Sequence, residues 1–477
     1  MGAKARVIPG FLEEVLEEEL KPGGTVVDLM SGTGIVAAFC ADRYRVFAND
    51  AQAYAQVIAE SLIEHDPRTK DAFLRSVDVE RDLLGAYEKN QALLEALYAP
   101  ALELEDKLLG SFRAGDDGPT WCGRYRKYLE LPGAVYGSRA GEGGRGEPYA
   151  QARELLSEES IARHRSDAHL RPACLVTAYY ANIYFGLRQA IALDSIRAAI
   201  DGMDSRAPLS ASKKAHYLSA LLHAASISTS GTSHFAQPRH LTKDSELRAM
   251  AERRQNDVVA RFREFSSEIL SLVESTRHLR GNRSFVGDYR RFIREPGSNH
   301  GGPRACFRFP REIDLLYLDP PYTADNYSRF YHVLEALTCY NYPPLERDSS
   351  GQVVRGRYPK LEQRFQSGFC RPASVEGEFR RVIEAAAGSG SKLIISYSSP
   401  TGLLLKQYAK RSVKADPVLS LENLCRESYR DVVTRRLPMM HSGQGDSNLR
   451  IEELLVVCRK PRGVHGDVPI QEERDDR

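Results

Sequence analysis

Hydrophobic positions change periodicity along the chain. Over residues 10 to 20, Phe11, Leu12, Val15, Leu16 and Leu20 fall at helical spacing, and Lys21-Pro22-Gly23-Gly24 ends the run. The β-prone stretch Thr25-Val26-Val27-Asp28-Leu29-Met30 comes next, followed by Ser31-Gly32-Thr33-Gly34 and a helical pattern from Ile35 to Cys40. Arg45-Val46-Phe47-Ala48-Asn49-Asp50 reads as a second strand with acid at its C-terminal end, so the chain opens as a β-α-β unit.

The middle of the chain differs. Helical segments are predicted around residues 70 to 110, 151 to 165, 173 to 201, 211 to 227 and 244 to 279, with no sustained strand alternation among them. Between Pro132 and Pro148, Gly133, Gly137, Gly141, Gly143, Gly144 and Gly146 predict a loop. From about Asn282 the strand-helix alternation returns, with strands at Ser284 to Asp288, Ile313 to Asp319 and Lys392 to Tyr397. Tyr429 to Leu437 and Glu452 to Cys458, joined by the turn-rich His441 to Asn448, predict an antiparallel hairpin that closes the sheet. The expected architecture is an α/β sheet formed by residues 1–60 and 281–462, interrupted by a large, mainly helical insertion over 61–280 and trailed by a polar tail at 463–477.

Composition fits that division. At 477 residues, with 42% hydrophobic and 27% charged residues, the chain can fill two to three domains or one core with a large insertion. No apolar run approaches the ~20 residues of a membrane helix. Residues 1 to 20 lack the basic-then-apolar order of a signal peptide, so the expectation is a cytoplasmic protein with no membrane partner. The 8 cysteines form no CxxC pair and no histidine cluster stands beside them, so neither a metal site nor a disulfide framework is expected. A net charge of +2 says little about partners, but arginine is dense from Arg248 to Arg311, including Arg253, Arg254, Arg261, Arg263, Arg290 and Arg291, and again at Arg124, Arg126 and Lys127. Two readings stand side by side: a solvated helix surface, or a face that contacts phosphates.

In an open α/β sheet ligands bind beyond the carboxyl ends of the strands, which places a cofactor at the loop Asp28 to Gly34. Gly32 and Gly34 allow close backbone approach, and Asp50 at the end of the second strand can accept the hydroxyls of a ribose. The loop lacks a third glycine and no phosphate-binding lysine follows. A nucleoside without phosphates therefore fits better than a dinucleotide, and S-adenosylmethionine is such a nucleoside. The same sheet edge receives Asp319-Pro320-Pro321-Tyr322, directly after the apolar run from Ile313 to Leu318. Prolines donate no amide hydrogens, so this turn offers carbonyl oxygens and the Asp319 carboxylate as acceptors, with the Tyr322 ring as a flat apolar wall. Such a set suits an aromatic amine whose N–H groups are taken by Asp319 and the Pro320 carbonyl, making its nitrogen a better nucleophile.

With these motifs the chain resembles the amino-methyltransferases of DNA, specifically the adenine methylases in which cofactor motifs come first, a recognition insertion follows and the DPPY motif comes late. The resemblance implies a Rossmann-like class I methyltransferase sheet, S-adenosylmethionine as cofactor, and double-stranded DNA as partner, with the target adenine flipped out against Tyr322. Gly2-Ala3-Lys4 resembles the N-terminal glycine-lysine motif, although the usual double glycine is missing. Asp28 to Gly34 resembles the acidic-x-x-x-Gly-x-Gly loop, Asp50 the ribose-binding acid, and Asp288 the acid that contacts the cofactor's adenine. The implied cofactor residues are thus Lys4, Asp28, Ser31, Gly32, Thr33, Gly34, Asp50, Asp288 and Asp319, and the implied catalytic residues Asp319, Pro320, Pro321 and Tyr322, without a metal.

Tyr179 to Arg188 resembles the aromatic segment that precedes the catalytic motif in such enzymes, with core packing as the alternative. Asn326, Tyr327, Arg329, Tyr331 and His332 are candidates for lining a base pocket, or for packing. Aspartate at the first motif position favours adenine over cytosine-N4 methylation. Cytosine-C5 chemistry needs a nucleophilic cysteine in a Pro-Cys context, and Cys174 after Pro172-Ala173 has no supporting acidic motif. The other readings are a catalytically silent DNA-binding subunit of a restriction or defence system with partner proteins, RNA methylation, and methylation of glutamine in a protein.

Overall fold

The computed structural model describes residues 7–131, 134–137, 148–167, 169–203, 208–232, 235–294, 305–411, 416–440 and 450–462. The chain divides into two compact units, one formed by Met1–Ala51, Gly281–Asp325 and Ser367–Arg477, the other by Gln52–Arg280 and Asn326–Gln366.

The first unit is mixed α/β around a mainly parallel seven-stranded sheet. Its strands are β1 (Thr25–Asp28), β2 (Arg45–Asp50), β3 (Arg283–Val286), β4 (Leu315–Leu318), β5 (Lys392–Ser399), β6 (Tyr429–Met440) and β7 (Arg450–Pro461), in the order β3-β2-β1-β4-β5-β7-β6. The first five run parallel, with Asp28 opposite Ala48 and Tyr317, and Leu318 opposite Ile395. β7 returns antiparallel between β5 and β6. The central strands are buried on both faces, which is why β4 and the Leu393 to Ile395 run are continuous apolar stretches rather than alternating ones. Val27, Phe47, Leu316, Leu318, Leu393 and Ile395 share a core with Val375, Phe379, Val382 and Ile383 of the helix Val375–Gly388. The hairpin strands extend further than the apolar pattern suggests, and their connecting turn lies outside the described residues.

The second unit is helical, and its elements break where local capping outcompetes helix continuation. The segment predicted at 70 to 110 is two helices, Lys70–Ser76 and Val79–Arg113; the second starts where the Asp78 side chain accepts from the Arg81 N–H at 3.1 Å. The segment at 244 to 279 divides into Asp244–Arg254 and Val258–Ser275, with Asp257 Oδ1 accepting from the N–H groups of Val259 and Ala260. Between Leu175–Tyr180 and Leu187–Asp201, Asn182 takes a left-handed φ of 58°.

This unit's core collects Tyr98, Tyr149, Tyr179, Tyr180, Tyr184, Phe185 and Tyr217, all essentially without solvent exposure. Tyr54, Ala55 and Ile58 join it from the helix Ala53–Ile63, and Val333, Leu334, Leu337, Tyr340 and Tyr342 join it from beyond the catalytic motif. That shared core is why residues 52–60 and 326–366 go with the helices, where the sequence pattern had placed them with the sheet. Among the described residues no helix is long and apolar enough to cross a membrane.

Candidate functional site

Four adjacent parallel strands bring four aspartates to one edge of the sheet. Asp28 ends β1, Asp50 ends β2, Asp288 lies two residues beyond β3, and Asp319 follows β4 at once. Because β2 and β4 flank β1 on opposite sides, this edge is the topological switch point, where connections diverge and leave a crevice.

The glycine loop is fastened there by backbone bonds. Leu29 N–H donates to the Tyr317 carbonyl at 3.0 Å, Ser31 N–H to the Asn49 carbonyl at 2.9 Å, and Gly34 N–H to the Ser31 carbonyl at 2.8 Å. Gly32 N–H donates to Asp50 Oδ2 at 3.0 Å. Gly32 and Gly34 have φ of 50° and 69°, and a Cβ built on Gly32 would meet nothing within 4 Å, so its outer face is open. Asp28, Ser31, Gly32, Thr33, Gly34 and Asp50 are therefore brought together around one turn. Asp28 is buried, and its charge together with burial pushes the Cys40 thiol upward, burial being the larger cause.

Sequence reasoning missed Asn49. Its buried amide donates to the carbonyls of Leu29 and Gly287, both at 3.2 Å, and so ties the loops after β1 and β3 together. Nothing local in the sequence announces the tie to Gly287, which lies 238 residues away in the chain. Asp288 Oδ1 accepts from the Arg290 N–H at 3.0 Å and caps the turn Tyr289–Phe292, while the Arg290 guanidinium also pairs with Glu378. Lys4 lies outside the described residues, as do most of the 132 to 148 loop and the 463–477 tail.

At the other end of the site, the Tyr322 hydroxyl donates to Asp319 Oδ1 at 2.7 Å and stands 3.1 Å from Glu453 Oε1. Burial, then the Asp319 and Glu453 carboxylates, hold the Tyr322 phenol well above its ordinary pKa. The Leu403 N–H donates to the Tyr322 carbonyl at 2.8 Å, and the Tyr397 ring meets the Tyr322 ring edge-on at 5.4 Å. Tyr397 is fixed in turn by the Leu404 N–H, 3.0 Å from its hydroxyl oxygen. Gly402 makes this packing possible: an added Cβ would run into the Tyr397 ring and lie 2.7 Å from the Ser398 carbonyl oxygen. Gly402→Ala is accordingly expected to cost about 1–3 kcal/mol, seen as a lower urea midpoint; an unchanged midpoint would show that Tyr397 yields freely.

Asn326, Tyr327, Arg329, Tyr331 and His332 belong to the helical unit. His332 is buried beside Tyr180, Tyr184 and Tyr358, and its Nδ1 lies 2.9 Å from the Arg329 carbonyl. Tyr179, Tyr180, Tyr184 and Phe185 are fully buried, so the aromatic segment is core packing. Burial also raises the Cys174 thiol, the opposite of what a nucleophile requires.

The arginine-dense stretches are largely committed within the protein. Arg254 is 4% exposed and donates to Asn182 Oδ1 at 3.1 Å. Arg261 pairs with Glu264, Arg263 with Glu80, Arg126 with Asp244 and Arg124 with Asp116.

Two curated relatives resemble the chain. It is 21% identical over 467 residues to the modification methylase LlaI of Lactococcus lactis subsp. lactis, an alignment covering 96% of this chain and 54% of that protein. It is 31% identical over 117 residues to the type II methyltransferase M.FokI of Planomicrobium okeanokoites, covering 24% of this chain and 16% of that protein. The chain thus spans about half the length of the first relative and a smaller part of the second. No family model and no solved structure matches it.

Proposed function

We propose that this chain transfers a methyl group from S-adenosylmethionine to the exocyclic N6 amino group of adenine in DNA. The observation that carries the reading is the placement, on one edge of one sheet, of the Gly32–Asp50 loop and the Asp319-Pro320-Pro321-Tyr322 turn. The names of the two relatives, a modification methylase and a type II methyltransferase, support the same chemistry and a restriction-modification setting. The strand order, with its closing antiparallel hairpin, agrees with a Rossmann-like class I methyltransferase sheet.

The residues fit the cofactor. Gly32 leaves an open backbone face for a nucleoside without phosphates, and the Asp50 carboxylate, already anchored by the Gly32 N–H, is placed to accept ribose hydroxyls. The bound cofactor supplies an electrophilic methyl group on a sulfonium. Asp319 and the Pro320 carbonyl accept the two N–H groups of the target amine and turn its lone pair toward that methyl. A new bond joins nitrogen to the methyl carbon, the carbon-sulfur bond breaks, and the nitrogen releases one proton. The target edge is inaccessible within a duplex, so the base is extruded and Tyr322 borders its pocket. The helical unit serves as the target-recognition region.

Incubation with tritiated S-adenosylmethionine and unmethylated duplex DNA, followed by nucleoside analysis, tests this directly. Label in N6-methyladenine is expected. Label in N4-methylcytosine would reassign the base, and cofactor binding with no label in DNA would overturn the enzyme reading. Asp50→Ala is expected to raise the cofactor Kd by roughly tenfold or more, the worth of a hydrogen bond to a charged group. Calorimetric titration reads this, and an unaltered Kd would remove Asp50 from the ribose site.

A further inference from the structure

Glu453 directly precedes the buried apolar run Leu454 to Cys458 of β7, and it is itself only 4% exposed. The register explains its reach toward the site. β4 pairs Leu318 with Ile395, which sets Asp319 level with Ser396, and β5 pairs Ser398 with Glu453. Glu453 Oε1 accepts from the Ser396 hydroxyl and stands 3.1 Å from the Tyr322 hydroxyl, which itself lies 2.7 Å from Asp319 Oδ1. One phenolic hydrogen therefore sits between two carboxylates, nearer to Asp319. The other titratable group acting on this hydroxyl is Tyr317 of β4, itself under the influence of Asp28. A carboxylate buried in a β-strand is strongly disfavoured unless donors compensate it, and packing alone is served better by an apolar side chain.

We propose that Glu453 is a positioning residue for the transfer step, acting through the Tyr322 hydroxyl to fix the orientation and the charge of the Asp319 carboxylate. The proposal rests on the reading of Asp319 as the group that receives the target amine. During transfer, positive charge passes from sulfur to the attacking nitrogen as the carbon-nitrogen bond forms and the carbon-sulfur bond breaks. Two carboxylates linked through one hydroxyl keep a negative pole beside that nitrogen until its proton departs. The Ser396 hydroxyl holds the far end of the chain in place.

The test uses the full-length protein, tritiated S-adenosylmethionine and unmethylated duplex DNA. Glu453→Gln keeps size and hydrogen-bonding capacity but removes the charge. It is expected to lower kcat by on the order of ten- to hundredfold, the worth of one charge-assisted hydrogen bond, with KM for DNA and for cofactor unchanged. The acid limb of the pH–rate profile should move to lower pH, because a like-charged neighbour of Asp319 has been neutralised. Tyr322→Phe, which removes the donor to Asp319, should move that limb to higher pH, and adding Glu453→Gln to it should lower kcat no further. A Glu453→Gln protein with the parental kcat and acid limb overturns the proposal, as does a full additional loss in the Tyr322→Phe background. Should Glu453→Gln not fold, a Tyr322→Phe acid limb identical to the parent's overturns it instead. Asp319→Ala is assayed in parallel: if it retains transfer, the assignment of the turn fails, and that result is distinct from the failure of Glu453 alone.

Discussion

Asp319→Ala is expected to lower methyl transfer by roughly 10²–10³-fold or more, the scale of losing one preorganised group aimed at developing charge, while cofactor affinity changes little. The two ends of the site are held by different bonds. The glycine loop is organised by Asp50, Asn49 and backbone contacts of β1 and β4, none of which passes through the Asp319 side chain. Asp319 is instead engaged by the Tyr322 hydroxyl. Asp319→Asn keeps an acceptor oxygen without the charge and should fall between the two. Single-turnover transfer measured beside calorimetric cofactor titration separates these effects. Transfer persisting within tenfold of the parent, or a large rise in cofactor Kd, would contradict the division of labour between the loop and the turn.

The second large effect concerns acid. Burial depresses His65 to about 4, His216 to about 3 and His332 to about 4, all within the helical unit. His65 and His278 lie ring to ring at 5.2 Å, and His216 Nε2 is 2.8 Å from the Ser266 hydroxyl. An unfolded chain binds protons on these imidazoles below about 6.5, whereas the native state refuses them until the depressed value is reached. Their contribution to stability is thus fully present above about 6.5 and is lost as pH falls toward about 4, by up to about 3 kcal/mol for each.

Asp194 opposes this. Burial raises its carboxyl to about 6, against hydrogen bonds from the Tyr340 hydroxyl and the N–H groups of Val176 and Thr177. Its contribution is therefore complete below the unfolded value near 3.8 and declines as pH rises through about 6. Three imidazoles outweigh one carboxyl, and the helical unit should lose several kcal/mol between pH 7.5 and 4.5. Urea midpoints across that range measure the loss, and a flat series would mean that the histidines reach water in the native state.

The chemistry of the site was far more legible in the sequence than its supports. A β-prone run ending in acid, a glycine turn and the Asp319-Pro320-Pro321-Tyr322 string each carry their meaning within a few residues, because strand ends and turns are local events. Helix breaks at Asp78 and Asp257 depend on single side-chain caps, which a broad helical period hides. Glu453 and Asn49 were invisible for another reason: their partners Tyr322 and Gly287 stand 131 and 238 residues away in the chain. Val333, Leu334, Leu337, Tyr340 and Tyr342 are apolar or aromatic, but that character does not say which of two cores they fill. The arginines read as basic, while the acids that neutralise them lie on other elements.

The chain passes between its two units at 51/52, 280/281, 325/326 and 366/367, and this has a consequence during synthesis. When the ribosome has made the helices up to Arg280, the pocket that Val333, Leu334, Leu337, Tyr340 and Tyr342 will occupy is still unfilled. The sheet is equally unfinished, since β3 to β7 have not yet been made. Neither unit can close before the other's next segment is delivered, so the nascent protein is expected to stay protease-sensitive until late in translation. For the same reason no single continuous segment makes up the helical unit: a graft of this unit has to transfer Gln52–Arg280 and Asn326–Gln366 together.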